Sequence, residues 1–445
     1  MTNLPFGFSS GNPDDSGENK PSGQGPFGPM GEPGGAFDVN QLGQMLSQLG
    51  QMLSQTGGQA GPVNYDLARQ IAIQQLTPGG LGGTEQADAV RDAVRLAETW
   101  LESATTLPVG ATRAEAWSAR DWVEHTMPTW QRLCDPVARR VSGAWVEALP
   151  EEAKQVAGPM LAMVSQMGGM AFGSQLGGAL AQLGNEVLTS TDIGIPLGPE
   201  GVAALLPANI EKFTAGLERP AGEVMVYLAA REAAHQRLFA HVPWLRQRLL
   251  ATVEEYASGI KVDTSALEQL ATQVDPTNPQ SIEQMMSSGV LQPQTTAAQQ
   301  VALDRLETLL ALVEGWVDVV VAEAIGDRLP GADALRETLR RRRASGGPAE
   351  QTFATLVGLE LRPRRLRAAS NLWALIGERH GTKVRDGVWA HPDLVPTSAD
   401  LDEPIDFADR LGEAPVDLGD DPIAELERTE QAEREGRDKP EENPE

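Results

Sequence analysis

From residue 63 to about 392, apolar side chains in this 445-residue chain recur at helical spacing in one segment after another. Windows at 64–76, 84–104, 112–126, 130–148, 150–185, 200–216, 220–241, 243–259, 264–274, 298–327, 331–344, 348–357 and 363–379 each read as a helix. Strand signals are scarce. The best is TSTDIGIPLG at 189–198, a short β-branched run closed by proline and glycine. The expected fold class is mainly α, with at most a small β element.

The flanks have a different character. Residues 1–62 are rich in Gly, Pro, Ser, Gln and Asn, with too little apolar content to offset the entropy of ordering, so disorder is expected there. Within them, 39–55 contains LGQMLSQ almost twice over, which reads as a transient amphipathic helix or a docking helix for a partner. From Asp400 onward the chain carries eighteen acidic and five basic residues, half of its formal charge of −26. The expected division is therefore a disordered segment at 1–62, a helical domain at 63–399 and an acidic disordered tail at 400–445. That tail could clamp the basic runs RETLRRRR at 336–343 or LRPRRLR at 361–367.

Charge and composition narrow the function classes. A strongly acidic chain repels nucleic acid and anionic membranes, and the basic runs lack interleaved aromatics. Segment 158–184 spaces glycine and alanine among Met and Leu, but glutamines and a serine interrupt it, so a tightly packed soluble helix is expected rather than a membrane span. Cys134 is the only cysteine, which leaves no disulfide and no thiolate metal site within one chain. The opening MTNLPFGFSSGNPDD lacks the basic and apolar regions of a signal peptide, and a reducing cytoplasm is the expected location.

Chemistry concentrates at REAAH, residues 231–235, inside EVMVYLAAREAAHQRLFAH. In the zinc-peptidase signature HExxH, two histidines at i and i+4 share a helix face and bind zinc, while the glutamate serves as general base. Glu232 and His235 stand where that scheme needs them. Arg231 replaces the first histidine and offers no lone pair. On a helical wheel Arg231 and His235 fall inside the apolar stripe of Val224, Tyr227, Leu228, Leu238 and Phe239, so a compensating charge must face them. The best source is the helix at 298–327. Glu314 lies within its apolar stripe and Asp318 at the stripe's edge, in the ExxxD spacing from which glutamate-type zinc peptidases take a third ligand and an orienting aspartate. His241 and Glu255 are weaker ligand candidates: Leu238 occupies the glycine position of the metzincin spacing, and no aspartate follows Glu255 at i+4. Cys134 reads as a packed core cysteine, with His125 nearby in sequence but on a different helix, and His391 as a packed loop histidine.

Across roughly 63–410 the sequence resembles the actinobacterial zincin-like metallopeptidase family, described as zinc-dependent metalloproteases or hydrolases. The resemblance rests on YLAAREAAHQRLFAHVPWLRQRL at 227–249, RLETLLALVEGWVDVV at 305–320, LRRRRASGGPAEQTFATLVGLELRPRRLR at 339–367 and VWAHPDLVPTSADLDEP at 388–404. It implies a zincin-like fold, zinc as cofactor and a peptide or protein as substrate or partner. Carried over to these positions, Glu232 would be the general base, with His235 and Glu314 as zinc ligands. The departure at Arg231 sets two expectations against each other. One is a metallopeptidase-like hydrolase with an unusual ligand set. The other is an inactive zincin-fold binding or scaffold module in which Arg231 pairs with Glu314 and Glu232 where zinc would sit.

Overall fold

The computed structural model describes residues 61–77, 84–147, 158–217, 219–259, 296–344 and 365–412. The 39–55 repeat, the helices expected at 264–274 and 348–357, and the acidic stretch beyond 412 lie outside the described residues. What is described is mainly α with one two-stranded parallel sheet. In chain order come α1 (Tyr65–Gln75), α2 (Thr84–Leu101), β1 (Arg113–Ala116), α3 (Ala119–Glu147), α4 (Gly158–Gly184), β2 (Val202–Leu205), α5 (Pro207–Ala215), α6 (Ala221–His241) and α7 (Pro243–Ser258). The second half adds α8 (Ala297–Ile325), α9 (Ala332–Ala344), α10 (Leu366–His380), α11 (Thr382–Gly387), α12 (Ser398–Asp402) and α13 (Pro404–Gly412).

The sheet lies where helices were expected. Residues 113–116 pair with 202–205 in register, Arg113 opposite Val202 and Ala116 opposite Leu205. Each of these segments is short and rich in alanine, so its local pattern suits a helix, and the pairing that overrides it joins positions far apart in sequence. Helix α3 then starts late, because Ser118 caps it: its Oγ accepts from the Asp121 backbone N–H at 3.2 Å, and its own backbone N–H donates to Asp121 Oδ2 at 2.8 Å. It runs unbroken through Pro128 and Pro136, where two helices were expected. The run at 189–198, expected as a strand, forms only a bridge from Thr189 to Leu205 and otherwise turns. Helical structure also continues past Asp400, where the acidic tail was expected to begin. Phe407 and Ala408 of α13 are buried there, and the helix packs on α10.

Helix α6 lies at the centre. It buries nearly every side chain from Val224 to Phe239 and packs against α2, β2, α5 and α8. Gly110 lets the loop before β1 press against it, since a Cβ there would stand 2.2 Å from the Gln236 carbonyl oxygen. Arg237 ties α6 to α2, donating from Nε to Glu98 Oε2 at 2.7 Å and from Nη1 to the Leu107 carbonyl at 2.8 Å. Helix α8 starts from a capping box of Thr296 and Gln299 and packs against α6, α7 and α10. Its far side is fixed by Asp386, which accepts from Trp316 Nε1 at 3.0 Å and from Thr105 Oγ1 at 2.7 Å.

No helix among the described residues is long and apolar enough to cross a membrane. The glycines of α4 have another use: a Cβ at Gly173 would lie 2.4 Å from the Asn64 carbonyl oxygen, and one at Gly177 would lie 2.6 Å from that of Ala68. They form the groove that seats α1. Gly173→Ala should therefore destabilise the fold by about 1–3 kcal/mol through overpacking against backbone. Gly168→Ala, whose Cβ meets nothing within 4 Å among the described residues, should be neutral or stabilise by up to about 1 kcal/mol through helix propensity. Urea unfolding of the two variants measures the contrast, and equal effects would contradict the packing role.

Candidate functional site

Helices α6 and α8 bring the charged residues of both apolar stripes face to face. Arg231 donates from Nη2 to Glu314 Oε2 at 2.6 Å, with the two side chains only 11% and 7% exposed. His235 Nε2 stands 3.0 Å from Glu314 Oε1, and its Nδ1 stands 2.8 Å from the Arg231 carbonyl oxygen. A carbonyl only accepts, so Nδ1 donates to it. The Nε2 contact is then a hydrogen bond only with a second proton between ring and carboxylate. One carboxylate thus meets both inward-facing polar side chains of α6.

Burial works against the charge on Arg231, but Glu314, supported by Tyr227, Asp318 and Asp192, outweighs it and holds the guanidinium above its ordinary value. The turn at 189–194 closes the other side of Glu314. Gly194 adopts φ +77, and a Cβ there would lie 2.9 Å from Glu314 Oε1, so both backbone angle and space call for glycine.

Glu232 faces elsewhere. It is fully buried, and its Oε1 accepts from Ser190 Oγ at 2.6 Å and Gln236 Nε2 at 2.9 Å. Its Oε2 accepts from Thr191 Oγ1 at 2.6 Å and the Thr191 backbone N–H at 3.2 Å. Four donors saturate the carboxylate, which pins the turn to α6. The pairing of Arg231 with Glu232 expected from sequence is not among its contacts, because these nearer donors hold Glu232 on another face.

Asp318, one turn beyond Glu314, accepts from Arg336 Nε at 2.9 Å and Nη2 at 2.5 Å, from Arg340 Nη2 at 2.5 Å and from Ser370 Oγ at 3.1 Å. Burial alone would raise this carboxyl. The hydrogen bond and charge of Arg336, with Arg231 and Arg340, hold it below the ordinary carboxylate range instead. Arg342 reaches Asp192 and the Glu186 carbonyl, and Arg341 pairs with Glu337. Four arginines of the run proposed as a clamp for the acidic tail, Arg336, Arg340, Arg341 and Arg342, therefore already hold carboxylates within the fold. Between α6, α8 and α9 remains a cavity of about 10 Å³, lined by Arg231, Glu314, Asp318, Arg336, Leu339 and Arg340 among others.

The remaining sequence candidates are not brought into this cluster. His241 contacts the Val109 carbonyl at 3.2 Å, and Glu255 pairs with Arg305 at the surface. Cys134 is buried in the core, where burial pushes its thiol up, and His125 stacks on Trp117. His391 is exposed, with Nδ1 accepting from the Asp393 N–H, so the packed position expected for it is not observed. Sequence reasoning missed Ser190, Thr191, Ser370, Arg336 and Arg340. The basic run itself was the one available signal for the two arginines, since an Arg at i and i+4 on a helix presents a paired face.

A catalytic zinc takes three protein ligands and a water. His235 Nε2 and Glu314 Oε1 supply two donor atoms, while position 231 supplies a guanidinium already bonded to the other oxygen of Glu314. Among the described residues no group of three or more His, Cys, Asp or Glu stands together as a metal cage. The residues present do not fit a catalytic zinc.

A family model described as zincin-like metallopeptidase matches residues 63–408. A solved structure from Chloroflexus aurantiacus, presented as that of a candidate hydrolase with a novel fold, is similar at 18% identity and a TM-score of 0.57, covering 79% of this chain and 100% of its own. At that identity the likeness concerns the fold alone. Among curated proteins no relative matches.

The geometry at Asp318 fixes the sign of a pH effect. Its folded carboxyl lies below the unfolded value of about 3.9, so its stabilisation is fully present above that value and is lost as pH falls through the folded one. Asp318→Asn should destabilise by about 3–5 kcal/mol at pH 7, because two arginines lose their counter-charge. Urea unfolding at pH 7, 5 and 3.5 should give nearly equal differences at the first two and a smaller one at the third. A difference that grows in acid would contradict the assignment.

Proposed function

Because the chain belongs to the zincin-like metallopeptidase family, we propose that it keeps the family's scaffold as a binding or scaffold module, with an arginine in the place of the metal. One observation carries this reading: Arg231, Glu314 and His235 form a closed, hydrogen-bonded cluster at the motif position. The guanidinium supplies the positive charge between the two helices that a zinc ion would supply. Glu232, which a peptidase would need free to act on water, is saturated by four donors and serves as a structural tie. The ligand would be a peptide or protein rather than nucleic acid, given the formal charge of −26. A single buried thiol at Cys134 suits a reducing cytoplasm.

A second reading is a metallopeptidase-like hydrolase with an unusual ligand set. It is favoured by His235, whose Nδ1 is anchored to a backbone carbonyl while its Nε2 is directed at Glu314, the arrangement of a ligand histidine. Elemental mass spectrometry of protein purified without chelator or tag metal separates the two. The binding-module reading expects background zinc in the wild type even after zinc is added, and a rise toward about one zinc per chain in Arg231→His, which restores the third ligand. About one zinc per wild-type chain, lost in His235→Ala and Glu314→Ala, would sink that reading in favour of the hydrolase.

A further inference from the structure

We infer that the arginine-lined cavity beside Arg231 is a receptor for a single carboxylate group presented by a peptide. Three guanidinium groups, Arg231, Arg336 and Arg340, line it against two carboxylates, Glu314 and Asp318, so its balance favours an entering anion. The guanidinium atoms are not all committed. Arg340 gives Nη2 to Asp318, while its Nε is buried and has no hydrogen-bond partner among the described residues. A buried N–H without an acceptor is a standing cost that an incoming oxygen removes.

The size and walls of the cavity select the ligand chemistry. A volume of about 10 Å³ admits one oxygen-sized atom. A planar carboxylate can offer one oxygen inward and keep the other outside, whereas a tetrahedral phosphate is too broad to enter edge-on. Leu339 and Leu366 give the rim an apolar side, which suits the carbon attached to the carboxylate. Arg231 and Arg336 add charge without having to surrender Glu314 or Asp318, to which both stay bonded. Such a carboxylate can come from a chain terminus or from an acidic side chain. This deepens the binding-module reading and rests on it in one respect: Arg231 must stay on Glu314 rather than yield its place to zinc.

The test is calorimetric titration of the full chain in chelator-containing buffer at constant ionic strength. The probes are an acetylated dipeptide ending in leucine with a free carboxylate, its C-terminal amide, an acetylated glutamate amide, and inorganic phosphate. At least tenfold tighter binding of a carboxylate probe than of the leucine amide and of phosphate is expected. The free-terminus and glutamate probes then tell which source is preferred. Arg340→Lys, which keeps the charge and removes Nε, should weaken the carboxylate tenfold, while Arg341→Gln, on an exposed side chain paired with Glu337, should leave it unchanged. Equal responses to acid and amide, or to carboxylate and phosphate, overturn the proposal, as does an unchanged Arg340→Lys. Should Arg340→Lys fail to fold, the acid-against-amide comparison on the wild type still decides. Repeating the titration with zinc added separates the two readings: carboxylate binding abolished by about one equivalent of zinc would count against the metal-free site, not against the receptor.

Discussion

The Arg231–Glu314 ion pair is the interaction on which the centre of this fold depends. Two long helices, α6 and α8, present nearly continuous apolar surfaces to their neighbours, yet each carries charge in the middle of its buried face. An isolated charge there would be prohibitively expensive, and two of opposite sign at 2.6 Å are tolerable only because further hydrogen bonds complete them. His235 takes the second oxygen of Glu314, and Gly194 lets the neighbouring turn close over it. Asp318 draws α9 onto the same surface through Arg336 and Arg340, and Glu232 anchors the 189–194 turn from below. The site is a lattice of three adjacent polar groups, centred on Glu314, Asp318 and Glu232.

Much of this lattice was legible in the sequence, for a specific reason. Arg231, His235 and Glu314 each sit where helical periodicity demands an apolar side chain, and a charge in an apolar stripe forces a partner of opposite sign. That argument identified both helices and the pairing between them. Glu232 eluded it: its partners Ser190 and Thr191 lie in a turn with no periodicity. The strands 113–116 and 202–205 were hidden because short alanine-containing segments look helical until a distant partner supplies the ladder. Asp318 was placed at the edge of a stripe, and only the basic run at 336–343 signalled that two arginines a helical turn apart could reach it.

An arginine at the position of a ligand histidine gives the two helices a positive charge of a different kind from a metal ion. Zinc binds through lone pairs, whereas a guanidinium offers only donors, so the carboxylate that would have ligated a metal accepts hydrogen bonds instead. Arg231, Glu314 and His235 close on one another, and beside them lies a small cavity lined by three arginines and two carboxylates. On the reading proposed here, that surplus is what a ligand would meet.

The central claim is that Arg231 and Glu314 act as a unit in the metal's place, and a double-mutant cycle on folding stability tests it most directly. Urea unfolding of the wild type, Arg231→Met, Glu314→Gln and the double variant, in chelator-containing buffer, yields the coupling between the two side chains. The account requires a favourable coupling of about 1–3 kcal/mol, with the double variant more stable than the sum of the single losses implies. Additive losses would mean that the two residues do not depend on each other, and would contradict it.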